Sequence, residues 1–185
     1  MEDGEIIELF FKRSERAITE LSNKYHGVLK KISFNILNNP LDVEECVNDA
    51  YLGAWDSIPP HKPNPLLTYV CRIVRNLSIK KYHSNTAIKR NSYYDISLNE
   101  LENSILSPNN VELEYEANEL AKNIDNFLDT LDTDNRVMFI RRYWFADSLS
   151  DIAKMFDITE HNATVRLSRI RAKLKKYLLK EGFTL

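Results

Sequence analysis

The sequence predicts an all-α chain: two small helical domains joined by a linker, the second ending in a helix-turn-helix. Three observations carry that prediction. Only four glycines occur in 185 residues, and four of the six prolines fall between positions 59 and 65, so backbone breakers are concentrated in one short segment. Leucine, isoleucine, lysine, glutamate and asparagine abound, a mixture that favours helices over strands. Apolar residues recur at three- and four-residue spacing through most of the chain, the period of a helix with one buried face.

The first such pattern covers residues 6–37, where Ile18, Leu21, Tyr25, Val28, Leu29, Ile32 and Ile36 share a face and Asn38-Asn39-Pro40 stops it. The next helix is expected to begin at Asp42 as N-cap, with Glu45 at the third helical position. Its apolar stripe is Val43, Cys46, Val47, Ala50, Tyr51, Ala54 and Trp55; its other face carries Glu44, Glu45, Asn48 and Asp49. The prolines of residues 58–65 then impose an extended, stiff loop. A third helix over residues 66–82 buries Leu66, Tyr69, Val70, Ile73, Val74 and Leu77. These elements make a first domain over residues 5–85. Residues 86–116 lack a sustained period and read as a linker, with at most a helical turn at 98–105. The second domain, 117–182, opens on the stripe Leu120, Ile124, Phe127, Leu128 and Leu131. Thr133-Asp134 offers an N-cap for the next helix, and two further segments follow at 150–156 and 160–179.

Net charge is −2, which taken alone argues against a polyanion partner, but the charge is unevenly spread. Residues 66–90 hold Arg72, Arg75, Lys80, Lys81, Lys89 and Arg90 and no acid. Residues 160–185 hold seven cations against Glu160 and Glu181, and the acidic stretch 95–134 between them masks both. Two local anion-binding surfaces are therefore expected. Cys46 and Cys71 form no CxxC, and His26, His61, His83 and His161 are scattered. These read as half-buried free thiols and unrelated histidines, with no metal site and no disulfide framework. Without a glycine-rich phosphate loop or a nucleophile elbow, the chain is expected to need no cofactor and to catalyse nothing. An acidic start, and no apolar run long enough to span a bilayer, point to the cytoplasm.

The last two segments form the sharpest local feature. Ser148-Leu149-Ser150-Asp151 is a capping signal, Asp157-Ile158-Thr159 a tight connection, and Thr159 a cap for a basic helix with core residues Ala163 or Val165, Leu167, Ile170 and Leu174. A short helix, a three-residue turn and a basic helix suit the major groove, which admits one helix while the preceding one braces it. A helical hairpin with a solvated basic face is the plain alternative.

Residues 149–153 and 166–174 resemble region 4 of sigma-70 family factors, and residues 42–55 and 69–79 resemble region 2, in the family's order. The short linker between them is similar to that of the extracytoplasmic-function type. The resemblance implies a transcription initiation factor that binds core RNA polymerase and promoter DNA, and possible control by an anti-sigma factor. It implies that Glu44, Glu45, Asn48 and Asp49 dock on polymerase. It also implies that His61, Lys62, Asn64, Arg72, Arg75, Asn76, Lys80 and Lys81 serve the downstream (minus-ten) element. His161, Asn162, Thr164, Val165, Arg166, Arg169 and Lys173 then serve the upstream (minus-thirty-five) element. A stiff polar loop such as 58–65 can capture an unstacked base at low ordering cost. The chain departs from the family at His161-Asn162-Ala163-Thr164-Val165, at Lys80 where aspartate is common, and at Asn48 where glutamine is common, so no promoter sequence is implied. A stand-alone helix-turn-helix regulator, binding operators as a dimer, leaves the acidic helix and the proline loop without a role.

Overall fold

The computed structural model describes residues 1–85, 92–105 and 115–183. Among these residues there are nine α-helices and no strand, in two compact units, 1–92 and 93–185.

The first unit contains α1 (Asp3–Phe11), α2 (Arg16–Leu37), α3 (Pro40–Ser57) and α4 (Leu66–Ser84). The single pattern expected over residues 6–37 is two helices. The chain breaks after Phe11 and passes through Arg13 in the left-handed region, at φ 49°. Helices α2, α3 and α4 pack pairwise around Leu21, Leu29, Ile32, Ile36, Val43, Val47, Ala50, Ala54, Leu66, Val70 and Val74, all buried. Gly53 marks the closest approach of α3 to α4, because a Cβ there would stand 3.2 Å from Ile73 Cγ2. The Ser78 hydroxyl, fully buried in the same bundle, lies 2.9 Å from Ser33 Oγ and 2.8 Å from the Val74 carbonyl. Cys46 and Cys71 are buried, more deeply than expected. Helix α3 starts three residues earlier than the sequence suggested. Its N-cap is Asn39, whose side chain accepts from the Leu41 N–H at 3.0 Å, rather than Asp42. The Pro40 that stops α2 is also a favourable first residue for α3, since proline lacks only a donor that is unpaired there anyway.

The second unit contains α5 (Tyr93–Ile105), α6 (Tyr115–Asp129), α7 (Thr133–Tyr143), α8 (Leu149–Met155) and α9 (Glu160–Lys180). Helix α5 lies within the stretch read as a linker. Most of residues 86–116 that the structure describes are helical, and α5 packs on α7 and α9. The unit therefore begins at 93 and not at 117. Tyr94, Ser97, Leu98 and Leu101 lie on the less exposed side of α5, a helical spacing that its acidic and polar neighbours obscure in the sequence. Lys89 and Arg90, counted in the first basic stretch, lie outside the described residues. Helix α7 is capped by Asp132, which accepts from the Asn135 N–H at 3.0 Å, one residue ahead of the expected Thr133. The core consists of Phe127, Leu131, Met138, Phe139, Tyr143, Ile152, Ala153, Ala163, Leu167, Ile170, Leu174 and Leu178. Among the described residues no helix is long and apolar enough to cross a membrane.

Candidate nucleic-acid interface

Helices α8 and α9 form the expected helix-turn-helix. Ser148 caps α8 by accepting from the Asp151 N–H at 3.0 Å, and Thr159 caps α9 by accepting from the Asn162 N–H at 3.2 Å. Between them Asp157 takes a left-handed turn (φ 51°), and the Ile158 N–H donates to the Ala153 carbonyl at 3.0 Å. The small side chains of Ala153 and Ala163, both buried, belong to the core shared by the two helices. Because Ala163, Leu167, Ile170, Leu174 and Leu178 face inward, the opposite face of α9 runs through His161, Val165, Ser168, Arg169, Ala172 and Lys176.

Of the residues expected to meet the upstream element, His161, Asn162, Thr164, Arg169 and Lys173 are exposed, while Val165 and Arg166 are half-buried. Thr164 donates its hydroxyl to the Glu160 carbonyl at 2.8 Å. Arg166 lies on the flank, where its charge reaches Asp132; that carboxyl is held low first by the Asn135 N–H and further by Arg166. Ser168 and Ala172 were missed, although their spacing from His161 and Val165 was readable. Selection of the residues at the start of the helix and of the cations beyond them passes over the small residues further along, which are the ones that let a helix lie close in a groove.

A polar cluster buttresses the recognition helix. Glu100 on α5 accepts from Arg142 Nη2 at 2.7 Å and Nε at 3.2 Å, from the Tyr143 hydroxyl at 3.2 Å, and from Arg171 Nη1 at 3.3 Å. Arg171 also donates to the Tyr143 hydroxyl at 2.6 Å, and Arg142 to the Asp147 carbonyl at 2.8 Å. Arg142 is only 2% exposed, so its charge depends on Glu100. Burial pushes the Tyr143 phenol up to about 12, against the lowering effect of Arg171. The sequence did not join these residues in one cluster, because the acid and its cations are brought together only by the fold.

In the first unit, the exposed side of α4 carries Thr68, Arg72, Asn76 and Lys80 at four-residue spacing. At its start lies a hollow of about 190 Å³ lined by Pro63, Asn64, Pro65, Thr68, Tyr69 and Arg72. The Arg72 guanidinium stands 5.8 Å from the Tyr69 ring centroid, and the His61 ring lies 6.4 Å from that ring. Lys62 is exposed in the same loop and pairs with Glu8 at 3.5 Å. Arg75 is half-buried.

Lys81 is drawn into an ion pair. It turns away from this stripe to Glu45 at 2.7 Å and Asp42 at 3.7 Å, and the Glu45 hydrogen bond raises its pKa. A cation expected on nucleic acid is instead held by an acid expected on polymerase. Glu44 pairs with Lys30, which lowers its carboxyl. Asn48 and Asp49 are exposed beside them.

The Sigma-70 region 2 family matches residues 21–88, and the Sigma-70 region 4 family matches residues 121–174. The chain belongs to the sigma-70 family. Regions 2 and 4 stand in the family's order with only residues 89–120 between them, the arrangement typical of extracytoplasmic-function sigma factors. As a sigma factor the protein works with core RNA polymerase and recognises promoter DNA. No curated protein matches this sigma factor in sequence. Fourteen solved chains match in structure. One is CnrH, solved in complex with the cytosolic domain of CnrY; it is 20% identical, 98% of this chain and 99% of that chain are covered, and the TM-score is 0.45.

Proposed function

We propose a division of labour among three surfaces of this sigma factor, none of them catalytic. The outer face of α9 reads the upstream element in the major groove. The hollow beside the proline loop, with the Arg72–Asn76–Lys80 stripe, holds the opened strand of the downstream element. The acidic side of α3, chiefly Asn48 and Asp49, docks on polymerase. The observation that carries the reading is the hollow itself. It sets a tyrosine ring and proline walls beside an amide and a guanidinium, the combination that stacks on a base and bonds its edge. Weak contacts at the two DNA surfaces add through tethering to one enzyme, which suits a chain with a net charge of −2. Binding by an anti-sigma factor is supported by the family resemblance alone, and co-purification of the chain from its own cells tests it.

The decisive experiment is run-off transcription with core polymerase and promoters randomised in each element in turn. Asn64→Ala and Arg72→Ala are expected to flatten preference in the downstream element only. Val165→Ala and Arg169→Ala are expected to act in the upstream element only. A pre-melted bubble should restore part of the activity lost in the first pair, since unpairing costs a few kcal/mol that the bubble removes. If the first pair alters upstream preference, the hollow is not the strand site.

A further inference from the structure

Helix α1 and the turn after it lie ahead of the matched region 2, which begins at residue 21. Three of their side chains nevertheless reach the proline loop or the helix turns that flank it: the last turn of α3, the loop itself and the first turn of α4. At the entry, Arg13 donates from Nη1 to the Trp55 carbonyl at 2.6 Å and lies 5.4 Å from the centroid of the same indole. Phe10, fully buried, packs on that ring with centroids 6.2 Å apart. In the middle, Glu8 pairs with Lys62 at 3.5 Å. At the exit stands the first turn of α4, whose N-cap is Pro65 and carries no capping side chain. Asp3 lies there, accepting from Lys24 at 2.7 Å and from the Tyr25 hydroxyl at 2.5 Å. Burial pushes the Asp3 carboxyl up, but those two bonds and the Leu66 backbone N–H outweigh it and hold the group below its usual range. An acid at a helix N-terminus satisfies orphan donors and complements the dipole.

Arg13 makes its contact from a backbone conformation that non-glycine residues seldom adopt, at φ 49°. The loop that follows this turn of α3 has no regular hydrogen-bonded structure of its own between residues 61 and 65, and one wall of the hollow is built from that loop.

We infer that α1 and its turn brace the proline loop, and that Asp3, Glu8 and Arg13 are positioning residues for recognition of the downstream element. The inference rests on the reading of the hollow as the strand site. A loop whose flanking helix turns and central lysine are held offers Asn64 and the proline wall in one arrangement, so a wrong base cannot be accommodated by a small shift of the loop. Released at either end, the loop keeps its composition but loses its discrimination.

The test uses the full chain assembled with core polymerase and a promoter library randomised through both elements. Arg13→Gly removes the side chain while suiting the left-handed backbone, so the turn itself survives. Glu8→Gln removes an exposed pair and leaves the core untouched. Arg13→Gly is expected to flatten preference about five-fold at one or two downstream positions, the effect of about one lost hydrogen bond. Glu8→Gln should do so about two-fold, and Arg13→Lys should restore part of the preference. Upstream preference should stay at wild type in all three. Asn64→Ala is run in parallel. If Asn64→Ala flattens downstream preference while both α1 variants match wild type, or lower every promoter uniformly, the brace is overturned and the strand site stands. If Asn64→Ala itself leaves downstream preference intact, the strand site is wrong and the brace falls with it.

Discussion

Helices α4 and α9 carry the two basic stretches of the chain, and in each a cation turns to an acid of its own unit. In α4 it is Lys81, 26% exposed, which meets Glu45 and Asp42 at the surface of the bundle. In α9 it is Arg171, 14% exposed, which enters a cluster with Glu100, Tyr143 and the nearly buried Arg142. The same kind of residue therefore has two kinds of role. A surface pair in water contributes little and can be lost with little consequence. A buried cation with one carboxylate partner is costly to strand, because the desolvated charge has nowhere to go. The difference teaches that the first unit can spare its inward cation, whereas that of the recognition helix shares Glu100 with the buried Arg142 of α7, which cannot be stranded cheaply.

The largest expected effect tests that cost. Glu100→Ala leaves Arg142 buried without its carboxylate and should destabilise the second unit by about 3 kcal/mol. Hydrogen exchange over residues 133–180 of the full chain reads the loss, while α2 to α4 should remain protected. Equal protection in both units would mean that Arg142 has another compensating partner, and the comparison would break.

A smaller effect comes from pH. The Tyr143 phenol is raised by burial from the ordinary 10.0 to about 12, so the folded state keeps its proton longer than the unfolded one. Its contribution is fully present below pH 10 and is lost as pH rises towards 12. Tyr143→Phe should remove that slope in the second unit and cost about 1 kcal/mol at neutral pH through the lost hydrogen bonds. Tyr25 and Tyr51 in the first unit are also raised by burial, so exchange must be followed unit by unit. A variant that keeps the alkaline slope over residues 133–180 would show that another group controls it.

The outward cations sharpen the contrast between the two DNA surfaces. Lys173→Ala should weaken all promoters alike and reduce the salt slope of binding by about 0.9, the value for one duplex phosphate. Lys80→Ala should reduce it by about 0.7, the value for a single strand. Filter binding of the polymerase complex over a salt series checks both. A change of sequence preference in Lys173→Ala would mean that this residue meets a base.

The smallest effect is expected from Lys81→Ala. Stability of the first unit should stay close to wild type, as expected for an exposed pair, and permanganate footprints of the opened promoter should match wild type. Freed of their cation, Glu45 and Asp42 make the α3 surface more acidic, so co-elution with core polymerase should strengthen against a basic partner. Loss of opening in this variant would return Lys81 to the DNA surface.

The helix-turn-helix was legible because its signals are local. The Ser148 and Thr159 caps, and the stripe Ala163, Leu167, Ile170 and Leu174, each lie within a few residues of what they specify. The α3 boundary shifted because Asn38-Asn39-Pro40 both ends one helix and starts the next, and a stop signal read alone hides the start. Helix α5 was missed although Tyr94, Leu98 and Leu101 share a face. A helix of 13 residues is marginal by itself, and packing on α7 and α9 supplies what its propensity does not.

By itself, then, the sequence determined most of the helices, the proline loop, the basic stretches and the family, since periodicity, proline geometry and motif spacing are properties of neighbours along the chain. Only the tertiary structure decided which charges face outward. Lys81 finds Glu45 across 36 positions, and Arg171 finds Glu100 across 71. Coulomb attraction acts on distance in space, and no spacing in the sequence records which helices the core will bring together.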